Sequence, residues 1–308
     1  MHTVLSAGRD TEALVVEMGM NHAGEIGALS HAVCPDVALI TNVGTAHIGN
    51  LGSRKAIAAA KLEIRDGMRD GVLIIPYGEP LLKVENGAKT LSVDCEGGDY
   101  SLYIGSSSKT EGKFSFRGGG LVLENERVAL PDRHQLLSLG YAIAIAEILG
   151  IESERIRAAI KTLDASILRQ RYLTVGGYRI YDDTYSSSAE AAIAVMDALT
   201  KRHREGASAV LGDMLELGEK SEELHRKVGR AAAECGIQRL YLFGEFAERI
   251  AEGALMGGMP EECIFTSRDV RDLRPTAEQI KGTYSGEVLI VKASHALHAE
   301  RLYDLLKE

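Results

Sequence analysis

The chain has 308 residues, of which 45% are hydrophobic and 26% charged, a balance typical of a folded globular protein rather than a disordered one. A chain of this length exceeds what one core usually holds, which predicts two domains. Lys and Arg total 35 against 44 Asp and Glu, and the formal net charge is -9. Such a surface repels nucleic acid and anionic lipid, so the composition favours a small-molecule enzyme over a nucleic-acid binder.

The cysteines and the apolar runs indicate the compartment. Cys34, Cys95, Cys235 and Cys263 are scattered and form no C-x-x-C pair, which is typical of small core residues in a reducing environment. No leader opens the chain and no apolar run reaches the ~20 residues that a bilayer requires. We therefore expect a cytoplasmic protein without membrane insertion.

The first half of the chain alternates strand-like and helix-like segments. Short β-branched runs at 12–19, 36–44 and 71–76 predict strands, and apolar residues at helical spacing predict helices at 24–33 and 53–68, with Ser53 as N-cap of the second. Strands that are apolar throughout and separated by helices indicate a parallel sheet covered on both faces.

The spacing of the apolar residues then changes. Residues 88–130 alternate with a period of two around glycine turns, which predicts an antiparallel β insertion, and a long helix at 134–150 is followed by a second helix. A new βα series predicts strands at 178–185, 208–214, 239–245 and 287–294. We therefore predict an α/β protein with a first domain at 1–165, mainly a parallel sheet with an antiparallel insertion, and a Rossmann-like second domain at 166–308.

Two polar residues follow strands of the predicted first sheet. Ligands of parallel sheets bind beyond the carboxyl ends of the strands, where Glu17 ends the first strand and His47 follows the second. A carboxylate and an imidazole at one rim are candidate metal ligands. The alternative is that Glu17 caps the next helix and His47 is an ordinary loop residue. Lys61, taken alone, is a helix-surface lysine reaching water.

Several segments together resemble the ATP-dependent Mur ligases of peptidoglycan synthesis. They are VVEMGMNHAGEI at 15–26, DVALITNVGTAHIGNLGSRKAIAAAKLEI at 36–64, YDDTY at 181–185 and AVLGDMLELGEKSEELHRKVG at 209–229. The resemblance extends in order and spacing from Glu12 to Leu306. It implies a central ATP-binding domain followed by a Rossmann-like C-terminal domain that admits the incoming amino acid or dipeptide.

The resemblance also implies an activity and a metal site. The expected reaction joins D-Ala-D-Ala to UDP-N-acetylmuramoyl-tripeptide through an acyl phosphate, with ATP as phosphoryl donor. By motif, Glu17 and His47 correspond to ligands of Mg2+, which Mn2+ can replace. Lys61 corresponds to a lysine that the family carbamylates, and its new carboxylate helps to position a second ion.

The nucleotide-binding positions are also assigned by resemblance. An acidic residue near the ribose corresponds to Asp182 or Asp183, and an arginine that reaches the phosphates corresponds to Arg169 or Arg171. The remaining assigned positions are Asn42, Gln135, Tyr185, Lys292 and Ser294.

The sequence departs from the family in places that concern ATP. The family's G-x-x-x-x-G-K-[ST] phosphate loop and its N-terminal UDP-sugar domain are expected upstream of residue 1, and Gly112-Lys113 cannot replace the loop because Phe114 follows it. Where the family usually has asparagine, this chain has Gln135, Ser138, Ser186 and Ser188, and where the last motif usually carries arginine it has His295. A serine hydroxyl has less hydrogen-bonding reach than an asparagine amide.

Three hypotheses follow from these departures. The chain is the larger part of a ligase that is inactive without its missing part, which a longer chain supplies; or it is a shortened, non-catalytic paralogue acting as a binding or partner subunit. The third hypothesis is a metal-dependent hydrolase built on Glu17, His47 and Lys61.

Overall fold

The computed structural model describes residues 2–83, 89–95, 97–107, 111–129, 133–163 and 171–308. The chain divides into two compact units, one of Met1–Val43 with Asn50–Leu163 and one of Gly44–Gly49 with Asp164–Glu308. The predicted boundary at residues 165 and 166 lies outside the described residues. Among those described, no helix is long and apolar enough to cross a membrane.

Helices and strands alternate through the first 163 residues. The helices are α1 His2–Leu5, α2 Glu25–Val33, α3 Ile48–Leu51, α4 Arg54–Leu62, α5 Arg133–Ile148 and α6 Ser153–Lys161. The strands are β1 Val37–Leu39, β2 Val72–Pro76, β3 Lys89–Asp94, β4 Tyr100–Ser107, β5 Gly112–Gly118 and β6 Leu121–Val128. Ser53 caps α4 as predicted, because its side chain accepts a hydrogen bond from the backbone N–H of Ala56 at 3.1 Å.

The described strands of the first unit form one sheet in the order β1-β2-β3-β4-β5-β6. The pairs from β1 to β4 are parallel, and the pairs β4–β5 and β5–β6 are antiparallel. The predicted mixed sheet is therefore confirmed. The antiparallel part is smaller than predicted, because β3 pairs in parallel with β2 and belongs to the main sheet.

The predicted strand at 12–19 is wrong. Residues 11–20 form no strand or helix, and Val15 is 91% exposed. A β-branched run becomes a strand only when a neighbouring chain pairs with its backbone. The described residues place no strand beside this run, and the predicted strand at 36–44 also shortens to β1.

The second unit contains strands and helices in a Rossmann-like succession. The strands are β7 Arg171–Val175, β8 Tyr178–Asp183, β9 Ala207–Leu211, β10 Leu240–Phe243, β11 Ile264–Ser267 and β12 Val288–Lys292. The helices are α7 Ala189–Arg202, α8 Ser221–Glu234, α9 Ala247–Met256, α10 Arg274–Thr283 and α11 Leu302–Lys307. The periodicity did not indicate β7 or β11, because the side chains of β7 are mostly exposed and those of β11 are mostly half-exposed.

In the described part of this unit the strand order is β11-β10-β9-β12-β8-β7, and only the β7–β8 pair is antiparallel. Strands β9, β10 and β12 are buried at every position, as expected for a parallel sheet covered on both faces. The register pairs Lys292 at the end of β12 with Asp183 on one side and Leu211 on the other. The carboxyl ends of three neighbouring strands therefore meet at one edge.

Candidate active site

The loop after β1 is held by two cations of helix α4. Lys61 Nζ donates to the carbonyl of Asn42 at 2.8 Å. Arg54 donates through Nε and Nη2 to the carbonyl of Val43, at 3.2 and 2.8 Å, and Nη2 also pairs with Glu79. Lys61 therefore does not extend into water as the isolated motif suggests.

Burial lowers the pKa of the Lys61 ammonium group, because desolvation disfavours its charged form. The neutral amine is the nucleophilic form of a lysine, and the direction of this shift favours that form.

Glu17 lies in the extended segment before α2 and makes no hydrogen bond or ion pair within the described residues. The N-terminal N–H groups of α2 are bound by another carboxylate. Glu63 accepts from Gly24 at 2.8 Å and from Gly27 at 3.2 Å. The alternative that Glu17 caps this helix is therefore wrong, and its carboxylate remains available to a ligand.

Residues Gly44–Gly49, here called the strap, belong to the second unit by their contacts. The hydroxyl of Thr45 donates to Glu190 Oε2 at 2.9 Å, and the side chain of His47 bonds through Nδ1 to Glu216 Oε2. The backbone N–H of Gly49 donates to the carbonyl of Glu216 at 2.9 Å.

The strap also approaches the turn at Glu216–Gly218 very closely. A Cβ at Gly49 would lie 2.5 Å from the backbone nitrogen of Gly218, and a Cβ at Gly218 would lie 2.8 Å from the Cα of Gly49. Only glycine at both positions allows this separation. The backbone thus holds His47 beside Glu216.

The candidate metal ligands are divided between the units, since Glu17 and Lys61 lie in the first and His47 is counted with the second. Within the described residues, no group of three His, Cys, Asp or Glu side chains is placed to hold a metal ion. The donors nevertheless suit Mg2+ or Mn2+, because the Glu17 carboxylate and the His47 imidazole nitrogen are ligand types that these ions accept.

In the second unit, Asp182 is fully engaged by protein groups. Its Oδ1 accepts from the hydroxyls of Thr184 at 2.9 Å and Tyr303 at 2.7 Å, and its Oδ2 accepts from Arg171 Nε at 3.3 Å. Burial raises the pKa of the Tyr303 hydroxyl, and the hydrogen bond to Asp182 raises it further. Asp182 and Arg171 are thus linked, while Arg169 lies outside the described residues.

Asp183 forms a buried ion pair. Lys292 Nζ donates to Asp183 Oδ2 at 2.6 Å and to the carbonyl of Ser186 at 2.8 Å. The Lys292 and Asp183 side chains are only 2% and 7% exposed. The ammonium group therefore joins the end of β12 to the loop after β8.

The motif GDMLELG at 212–218 forms the turn after β9. Asp213 accepts from the backbone N–H groups of Glu245 and Phe246, both at 2.9 Å, so it binds the neighbouring loop before α9 rather than its own turn. The Ser294 hydroxyl accepts from the N–H of Leu215 at 3.0 Å. Ser294 thus connects the segment after β12 to the turn that carries Glu216.

Some departures from the family pattern have structural roles. The Ser188 hydroxyl accepts from the N–H of Ala191 at 3.3 Å and caps α7. Ser138 donates to the carbonyl of His134 within α5. Gln135 is buried in the same helix, and the half-exposed Tyr185 ring lies 5.7 Å from the ring of His295.

The sequence reasoning missed Glu216, Thr184 and Tyr303. Glu216 lies inside the GDMLELG motif, and its spacing from glycines on both sides was the available signal. Tyr303 had no signal, since its partner Asp182 is 121 residues away in the chain.

Two protein-family models match the chain. Residues 1–146 match the Mur ligase middle domain, and residues 168–295 match the Mur ligase glutamate ligase domain. The first matched segment contains the described strands of the first sheet, and the second contains those of the second sheet. Together the two models match most of the chain, which therefore belongs to the Mur ligase family.

Individual relatives point to one branch of this family. The chain is 33% identical over 97% of its length to the UDP-N-acetylmuramoyl-tripeptide--D-alanyl-D-alanine ligase of Bacillus subtilis (strain 168), and it spans 65% of that protein. The structure of MurF from Acinetobacter baumannii matches 99% of the chain, and 67% of its own length, with a TM-score of 0.86 at 26% identity. MurF ligase from Thermotoga maritima in complex with ADP matches 97%, and 68% of its own length, with a TM-score of 0.81 at 26% identity. The chain thus spans less than two thirds of the Bacillus relative.

Proposed function

We propose that this chain forms the ATP- and dipeptide-handling part of a ligase that joins D-Ala-D-Ala to UDP-N-acetylmuramoyl-tripeptide. The observation that carries the proposal is the 33% identity, over 97% of the chain, to a ligase of that name. The ADP complex of the similar Thermotoga maritima MurF supports an adenine nucleotide as ligand.

The reaction transfers the γ-phosphoryl group of ATP to the terminal carboxylate of the tripeptide and releases ADP. The amine of D-Ala-D-Ala then attacks the acyl phosphate, phosphate leaves, and an amide bond forms. Both partners in the first step are anions, and Mg2+ held by this chain would supply the charge neutralisation. Glu17, His47 and carbamylated Lys61 are the residues we assign to hold the metal.

The nucleotide-binding residues we propose are those assigned from the resemblance to the family, and the observed hydrogen bonds distinguish between the alternatives. Asp183 is the better candidate than Asp182 for the ribose, because the Asp182 oxygens already accept three bonds. An incoming hydroxyl would meet Asp183 Oδ1, for which the described residues supply no donor. Arg171, Tyr185, Lys292 and Ser294 remain proposed nucleotide residues, as do Asn42, Gln135 and Arg169.

Calorimetric binding of ADP with Mg2+, and of D-Ala-D-Ala, tests the proposal on the 308-residue chain. We expect D-Ala-D-Ala to bind, with L-Ala-L-Ala failing as the stereochemical control, and we expect ADP to bind weakly because no phosphate loop in this sequence holds its β-phosphate. Absence of binding for both ligands would contradict the ligase function. Ligation by this chain alone should be negligible, because its sequence contains no G-x-x-x-x-G-K-[ST] loop to hold the β- and γ-phosphates.

A non-catalytic binding subunit is the second candidate. The observation that favours it is the loss of asparagine-like groups at Ser186 and Ser188, the second of which serves as a helix cap. Binding of D-Ala-D-Ala without any binding of ADP would favour this candidate over the ligase.

A further inference from the structure

We infer that Glu216 positions His47 for metal binding, by holding the imidazole in the tautomer that carries its proton on Nδ1. This inference rests on the proposed function for the metal itself, but the contact between the two side chains is independent of it. Glu216 lies in the second unit with the strap, so both partners belong to one compact body.

The first argument is the hydrogen bond. An ionised glutamate only accepts, so the ring nitrogen facing it, His47 Nδ1, must carry the proton. Nε2 then holds a lone pair, and within the described part of the chain it has no hydrogen-bond partner. A metal-ligating histidine typically donates its other N–H to a carboxylate in this way.

The second argument is the backbone. His47 and Glu216 are both non-glycine residues in the left-handed region, with φ of 61° and 63°. Such conformations are energetically unfavourable for residues other than glycine and persist where the surroundings impose them. Here the Gly49 N–H bonds the Glu216 carbonyl, and the close approach of Gly49 to Gly218 fixes the distance.

The third argument is the small contribution that the pair makes to stability. The side chains of His47 and Glu216 are 36% and 45% exposed. A side-chain pair this exposed contributes little to stability. Removing Glu216 should therefore leave the chain folded, so a loss of metal affinity would report orientation rather than unfolding.

The tautomer is the first measurement. In metal-free protein labelled with 15N-histidine, at a pH where the ring is neutral, the His47 signals are assigned by their loss in His47→Ala. We expect the Nδ1–H tautomer in the wild type and in Glu216→Gln, whose amide oxygen still accepts. We expect a shift toward the Nε2–H tautomer in Glu216→Ala, and an Nε2–H tautomer in the wild type would overturn the inference.

Metal affinity is the second measurement, with Mn2+ alone as the probe and electron paramagnetic resonance as the readout. Glu216→Ala should weaken Mn2+ binding at His47 by roughly 10–100-fold, with Glu216→Gln closer to the wild type. Glu219→Ala is the matched control, because this exposed glutamate in the following turn has the same charge and makes no hydrogen bond to the strap.

Each outcome has a distinct meaning. Unchanged Mn2+ affinity in Glu216→Ala would overturn the positioning role. The expected tautomer without any Mn2+ binding in the wild type would overturn the metal role of the pair, while binding of ADP and D-Ala-D-Ala would still stand as the separate test of the ligase.

Discussion

The buried pair of Lys292 and Asp183 should be the most sensitive electrostatic element of the second unit. The two charges lie 2.6 Å apart with side chains 2% and 7% exposed, so neither can regain water when its partner is removed. Breaking a buried pair from one side costs about 3–5 kcal/mol. Ser186 still accepts one bond from Lys292, so we expect the lower end, about 3 kcal/mol, for Asp183→Asn.

The double variant Asp183→Asn with Lys292→Met removes both charges and should recover much of this loss. We expect a coupling energy of about 2 kcal/mol between the two positions, since side chains in direct contact are not additive. A single-variant loss of about 3 kcal/mol corresponds to a lowering of the melting temperature by roughly 10 °C for a domain of this size.

The assay is urea unfolding followed by circular dichroism, with hydrogen exchange of β8 and β12 as a local probe, because two compact units need not unfold together. The matched control is Asp197→Asn, whose pair with Lys201 has a similar distance of 2.7 Å but is 47% and 73% exposed. That variant should lose less than about 0.5 kcal/mol. A loss below about 1 kcal/mol in Asp183→Asn, or additive effects in the double variant, would refute the reasoning.

Three further predictions concern the second unit. Tyr303→Phe removes a donor from the buried Asp182 and should lower the free energy of unfolding by about 1.5–3 kcal/mol in urea titrations. Burial lowers the pKa of His225, so stability should be complete above pH ~6.5 and fall as the pH drops toward the folded pKa, by at most about 1.4 kcal/mol per pH unit. Gly229→Ala should be severely destabilising, because its Cβ would lie 1.8 Å from the carbonyl oxygen of Ile250, and thermal unfolding measures the loss.

Controls accompany each of these predictions. Tyr178→Phe should leave stability nearly unchanged, since its hydroxyl has no hydrogen bond within the described residues. Gly282→Ala, in helix α10 with open space around it, should stabilise by about 0.5–1 kcal/mol. His225→Gln should flatten the pH dependence, and an unchanged slope would show that another group causes it.

Helices α2 and α4 and the Ser53 cap were predictable from the sequence because they depend on neighbours in the chain. The apolar period of 24–33 and the position of Ser53 gave α2 and the start of α4. The motifs from 15 to 64 and from 181 to 229 were sufficient for the family, and the family implied the arrangement of two sheets.

The tertiary structure decided what depends on distant partners. The run at 12–19 has the composition of a strand, yet it remains unpaired because pairing is a property of the neighbour, not of the run. Asp182 and Asp183 are adjacent residues of the same type, and the sequence does not distinguish them. Asp182 accepts from Tyr303, 121 residues away, whereas Asp183 accepts from Lys292, 109 residues away. Successive side chains of a strand point to opposite faces of the sheet, so Asp182 and Asp183 meet different partners. Which partner each carboxylate meets depends on the register of the strands, and no local sequence pattern encodes that register.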